Sequence, residues 1–117
     1  RQSSLPDRFV DRCTTEDERR AALSRCHLFV NASPVGMKLG DPSPVDASLL
    51  PEDCRVFDAV YNVAETALLR EARQRGLKAM GGLTMLAHQG ARSFEIWFGV
   101  RPDVDLMTAR LRESLGL

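Results

Sequence analysis

The chain has 117 residues, 44% of them hydrophobic, enough for one domain with a modest core. Its 16 basic and 16 acidic residues cancel, which excludes the broad positive field that nucleic acid or an anionic membrane requires and leaves a small molecule or a protein as partner. No apolar run is long enough to span a bilayer, and the three cysteines, Cys13, Cys26 and Cys54, lack CxxC or metal-ligand spacing, so they read as reduced thiols of a cytoplasmic protein without a zinc site.

In chain order, Arg8-Phe9-Val10-Asp11 is a short strand candidate, and Thr15 with Glu18 has the spacing of a capping box that opens a helix over residues 16 to 25. His27 to Val30 is an apolar run closed by Asn31-Ala32-Ser33-Pro34-Val35-Gly36, a buried strand running into a polar loop that continues through Asp41-Pro42-Ser43-Pro44. Asp46 is placed to cap a single helical turn through Leu49 and Leu50. Residues 55 to 60 form a second strand entering Tyr61-Asn62. Glu65 to Arg75 is rich in helix formers, with Ala64, Leu68, Leu69 and Ala72 on one side and Gly76 as its left-handed stop. Leu77 to Met80 is a third strand, broken by Gly81-Gly82. Leu83 to Phe98 has apolar residues at helical period and stops at Gly99; Asp103 caps a last helix through Leu111 to about Leu115.

Strand, helix and strand in alternation predict a parallel sheet with crossover helices, hence an α/β fold of about three strands with two C-terminal helices. Three strands are few for a doubly wound sheet, and Phe94, Trp97 and Phe98 give the last helices more aromatic surface than such a sheet covers. The expectation is therefore a further segment N-terminal to these residues.

Open α/β sheets bind ligands beyond the carboxyl ends of their strands. All three strands end in suitable residues: Asn31 to Gly36, Tyr61-Asn62 and Gly81-Gly82. Each has an ordinary alternative. The Asn-Ala-Ser-Pro loop also reads as a plain turn, Tyr61 as a half-buried aromatic with a solvated hydroxyl, and the two glycines as a turn rather than an anion cradle at a helix N-terminus. Gln89, in the second turn of the following helix, offers a donor and an acceptor toward the strand ends or lies in solvent. His27 and His88 have no Ser, Cys or carboxylate at triad spacing, and surface or structural roles are expected for both. Asp58 reads as a loop-orienting carboxylate more than a catalytic one.

Val30-Asn31-Ala32-Ser33-Pro34-Val35-Gly36-Met37, Val56-Phe57-Asp58-Ala59-Val60-Tyr61-Asn62, Glu65 to Leu69, and Gly82-Leu83-Thr84-Met85-Leu86-Ala87-His88-Gln89-Gly90 together resemble the C-terminal motifs of shikimate dehydrogenases. The resemblance covers about residues 26 to 115. It implies a partial Rossmann-like sheet in residues 1 to 81, with residues 82 to 117 as helices that pack back onto an N-terminal substrate domain. It also implies reversible reduction of 3-dehydroshikimate to shikimate with NADP, or with NAD. Carried over by position, Tyr61 and Gln89 would contact the substrate. Asn31, Ala32, Ser33, Pro34, Ala59 (through its backbone), Gly82 and Met85 would line the cofactor cleft. Two positions depart from the pattern, Thr84 where a second glycine is usual and Gly81 where Asp is common. The family's catalytic Lys and Asp lie in the N-terminal domain, so no catalytic residue is expected in this chain and the 117 residues alone should be inactive, with the missing domain or self-association covering the last helices. The alternatives are a non-catalytic interaction module of the same descent and a quinate or shikimate dehydrogenase that prefers NAD.

Overall fold

The computed structural model describes residues 11–117, and the strand expected at 8 to 11 falls almost wholly outside them. The elements are α1 (Glu16–Leu23), β1 (Leu28–Asn31), a 3-10 turn (Ala47–Leu49), β2 (Arg55–Asp58), α2 (Ala67–Gln74), β3 (Lys78–Gly81), α3 (Leu83–Phe98) and α4 (Val104–Leu115). The three strands pair in parallel in the order β1-β2-β3, with Leu28, Arg55 and Lys78 in register at one end and Asn31, Asp58 and Gly81 at the other. This is the α/β class that the alternation of strand and helix predicts. No described helix is long and apolar enough to cross a membrane.

Local signals set most of the boundaries. Glu18 N–H donates to Thr15 Oγ1 at 3.2 Å, and Thr15 N–H donates to the Glu18 carboxylate at 3.1 Å, closing the expected capping box. The helix stops at Leu23 instead of residue 25, because Ser24 is its C-cap and Cys26 N–H turns back onto the Leu23 carbonyl at 3.1 Å. α2 begins at Ala67 because Thr66, the residue before it, accepts from Leu69 N–H at 3.2 Å and is the cap. Asp46 caps the 3-10 turn, Asp103 caps α4, and Gly76 and Gly99 take positive φ at 77° and 68° where their helices end. The second strand is two residues shorter than expected and the third is displaced by one, so that Gly81 lies inside the ladder opposite Asp58.

Alternation along each strand divides the sheet into two unlike faces. Asn31, Val56 and Asp58 are buried and Phe29 and Ala79 partly so, under one cluster made of Leu23, Val45, Leu50, Cys54, Val56, Leu68, Ala72 and Leu77. On the other face Leu28, Val30 and Met80 are 57%, 48% and 58% exposed, although parallel sheets are normally covered on both sides. α3 and α4 pack mainly on each other. The contact is close at Gly90, where a Cβ would sit 3.2 Å from Met107 Cε. Only Leu83, Ala87 and Ala91 of α3 are buried; Phe94, Ile96, Trp97 and Phe98 stand exposed, with the Phe94 and Phe98 rings 4.6 Å apart.

Leu68 is fully buried at the centre of the cluster. Leu68→Ala should lower unfolding stability by about 3 kcal/mol in a urea titration, with an unchanged slope. The Thr14 and Thr15 amides hold the Glu18 carboxyl below its usual range. A carboxylate with a lowered folded pKa stabilises above its unfolded value and loses that contribution as pH falls through the folded one. The α1 N-terminus should therefore fray in acid, seen as faster exchange of the Glu18 amide. Glu18→Gln should remove the pH dependence.

Candidate functional site at the strand ends

The carboxyl ends of the three strands are joined by a buried polar network. Asp58 is fully buried at the end of β2. Its Oδ1 accepts from Asn31 Nδ2 at 2.9 Å and from Val60 N–H at 3.1 Å, and its Oδ2 accepts from Thr66 Oγ1 at 2.6 Å. A carboxylate so enclosed must be hydrogen-bonded or the fold would lose several kcal/mol. Here three donors from three segments meet that need. Asn31, only 3% exposed, uses its second Nδ2 proton on the Val35 carbonyl at 2.9 Å. Its Oδ1 accepts from Ser33 N–H at 3.1 Å and Ser33 Oγ at 2.7 Å. The Asn31 side chain is thus fully engaged in shaping its own loop, and it is the exposed Ala32, Ser33 and Pro34 that face outward.

Next to this network lies a crevice of about 260 Å³ lined by Val60, Tyr61, Gly81, Gly82, Leu83 and Thr84, with Arg112 and Leu117 of the C-terminal segment at its edge. Tyr61, 39% exposed, stands at its mouth. Gly82 is required by a close approach: a Cβ there would fall 2.2 Å from the Ala59 carbonyl oxygen, while its N–H donates to the Val60 carbonyl at 3.1 Å. Gly82 is also the N-cap of α3 and makes no side-chain cap hydrogen bond, unlike the caps of α1, α2 and α4. The first amides of α3 therefore open onto the crevice, where a ligand carbonyl or anion finds donors and the favourable end of the helix dipole. Met85 (45% exposed) and Gln89 lie farther along α3, outside the crevice lining, with side chains free in solvent.

Two further residues belong to this region, Thr66, to which the sequence assigns no role, and Asn62, which it places at a strand end without a partner. Thr66 is both the cap of α2 and a ligand of Asp58, and its position just before a run of helix formers was the available signal. Asn62 donates through Nδ2 to the Met37 carbonyl at 2.9 Å, tying the Tyr61 turn to the β1 loop, and its buried Oδ1 has no partner. The two larger depressions lie elsewhere. One of about 550 Å³ lies between α1 and residues 42–46, where Glu16 pairs with the α1 residues Arg19 and Arg20; another of about 490 Å³ lies over the bare sheet face. Neither gathers strand ends or open helix amides.

The exits of β2 and β3 meet an uncapped helix N-terminus at this crevice, while the Asn31 to Pro34 loop lies outside its lining; ligand binding at strand ends of a parallel sheet is the habit of nucleotide-binding α/β folds. The comparisons agree with that class. A model of the family described as the shikimate 5'-dehydrogenase C-terminal domain matches residues 82–112. A shikimate dehydrogenase (NADP(+)) of Thermus thermophilus is 42% identical over 117 residues, covering 100% of this chain and 43% of its own. That match extends the likeness ahead of residue 26. A shikimate 5-dehydrogenase of Thermus thermophilus, solved in complex with NADP(H) and shikimate, superposes with a TM-score of 0.73 at 41% identity over 81% of this chain and 36% of its own. The quinate dehydrogenase of Corynebacterium glutamicum, solved with NAD, gives 0.73 at 34% identity over 81% and 33%. The chain belongs to the shikimate dehydrogenase family and corresponds to its C-terminal portion, spanning about a third of the length of the curated relatives it matches.

Thr66→Val removes the cap of α2 and leaves one Asp58 oxygen buried without a donor, and should cost about 2 kcal/mol in chemical denaturation. Thr66→Ser, which keeps the hydroxyl, should recover most of that loss. Gly82→Ala should be more damaging than Gly90→Ala, because the first drives a methyl into backbone and the second only displaces a flexible Met107 side chain.

Proposed function

We propose that the protein containing this chain is an NADP-dependent dehydrogenase that reversibly reduces 3-dehydroshikimate to shikimate, on the route to chorismate and the aromatic amino acids. The observation that carries this reading is the meeting of Tyr61 with the open N-terminus of α3 at one strand-end crevice, in a chain similar to enzymes solved with NADP(H) and shikimate. The cleft fits a nicotinamide amide, since uncapped helix amides and strand-end carbonyls supply donors and acceptors side by side. When bound, the cofactor would give or take the hydride; Gly82 in the crevice, Ala59 through its backbone and Met85 farther along α3 are assigned to its nicotinamide half, and the loop of Asn31, Ala32, Ser33 and Pro34, outside the crevice lining, to the same strand-end side.

Tyr61 and Gln89 are assigned to the substrate. A phenol that both donates and accepts suits a hydroxyl or carboxylate, and an amide on the returning helix can bridge two hydroxyls. In this reading the chain orients both reactants, and positioning is a large part of such catalysis. No residue of this stretch is given the proton-transfer role, which is assigned to a Lys/Asp pair of an N-terminal domain. Residues 1 to 81 are the end of the nucleotide-binding domain. Residues 82 to 117 dock on that N-terminal domain through Phe94, Trp97 and Phe98, and a cytoplasmic setting suits three free thiols. Quinate with NAD is the second reading, favoured by the likeness to the Corynebacterium enzyme.

Steady-state kinetics of the full-length protein with shikimate or quinate, and NADP+ or NAD+, test the assignment. Shikimate with NADP+ should give the highest kcat/KM, and turnover of neither acid would overturn the proposal. Gln89→Ala should raise the KM for shikimate with a loss of about 1 to 3 kcal/mol in kcat/KM. Unchanged kinetics would remove Gln89 from the substrate site.

A further inference from the structure

At the end of the sheet opposite the crevice, two cysteines sit immediately ahead of neighbouring strands. Cys54 precedes β2 and Cys26 lies two residues ahead of β1. The ladder runs past its first registered pair, Leu28 with Arg55, because Arg55 N–H donates to the His27 carbonyl at 2.9 Å. Residue 27 therefore lies beside residue 54, and Cys26, outside the ladder at the bend that leads into β1, brings its thiol against that of Cys54. Their side chains share one environment: Cys54 is a buried member of the core cluster, and the half-buried Cys26 packs against that cluster. Burial first, and then the adjacent Cys26 thiol, push the Cys54 thiol up from its ordinary value.

We propose that Cys26 and Cys54 form a redox-responsive dithiol that hydrogen peroxide converts to an intrachain disulfide. The half-buried Cys26 is the thiol an oxidant reaches. Its sulfur takes one oxygen from the peroxide to become a sulfenic acid and releases water, and Cys54 then displaces that hydroxyl, forming the S–S bond and a second water. Two electrons and two protons leave the thiol pair, and the peroxide is reduced to water. Cys54 suits the second role by position: it is buried from oxidant and beside Cys26, and the proton it loses on attack leaves with the displaced hydroxide as water. The product closes a ring of roughly thirty residues that contains the whole loop after β1, so oxidation at one end of the sheet restrains a segment that Asn31 ties to Asp58 at the other.

The test is peptide mapping of the reduced full-length protein after hydrogen peroxide treatment and alkylation. The peptides carrying residues 26 and 54 should appear joined, about 2 Da lighter than their sum, and separate again with dithiothreitol. Cys13→Ser should leave the crosslink intact, and Cys26→Ser should abolish it while Cys54 stays fully alkylatable. Accumulation of Cys26 as sulfinic acid or as a mixed disulfide with Cys54 still free would overturn the proposal, as would a Cys13–Cys26 bond. The mapping of the unmutated protein decides this even if a cysteine variant folds poorly.

Discussion

The crevice depends on one buried carboxylate. Asp58 lies where β2 ends, with no exposure to water, and its oxygens are shared by Asn31 from the neighbouring strand, Val60 from its own exit and Thr66 from the start of α2. Each of these donors sets the course of a segment: Asn31 fixes the loop through Ser33 and Val35, Val60 turns the chain toward Tyr61, and Thr66 sets the first turn of α2. A buried acceptor tolerates little displacement of its donors, because a lost hydrogen bond costs more there than at the surface. Three loops are thus held in one arrangement by one buried carboxylate.

The glycine at 82 works by different physics toward the same end. Its missing side chain lets the exit of β3 approach the exit of β2 to a distance no other residue allows, with the Gly82 N–H bonded to the Val60 carbonyl. The same residue begins α3 without supplying a cap, so close approach and open amides come from a single position. Any side chain there would both part the strand ends and crowd the helix N-terminus. Thr84 is exposed at the crevice edge, two residues farther on, and leaves the approach between Gly82 and Ala59 unaffected.

How much of this was legible in the sequence follows from the range of each signal. Caps and stops act within four residues, so Thr15 with Glu18, Asp46, Asp103, Gly76 and Gly99 could all be read directly, and the order of elements with them. Asp58 could be read as a loop-orienting group, but its partners could not. Asn31 is distant in sequence, and nothing local says that Thr66 bonds two things at once. The displacement of β3 onto Gly81 has the same origin: glycine is a weak strand former, and only the ladder with Asp58 places it there. Gln89 is legible from its place in the second turn of α3 as well as from the family resemblance, Met85 from the resemblance alone, and the exposure of both follows from a helix whose buried residues are Leu83, Ala87 and Ala91.

The unequal faces of the sheet follow from handedness. Crossovers between parallel strands are right-handed, so the connections from β1 to β2 and from β2 to β3, which step in the same direction, must lie on the same side. That side carries the 3-10 turn and α2, with Val45, Leu50 and Leu68 beneath them. No connection stepping in that direction can reach the face where Leu28, Val30 and Met80 lie exposed. Phe94, Trp97 and Phe98 of α3 are likewise exposed, so among the described residues two apolar surfaces stay open, each left bare by the same restriction of the crossovers and their cover to one side of the sheet.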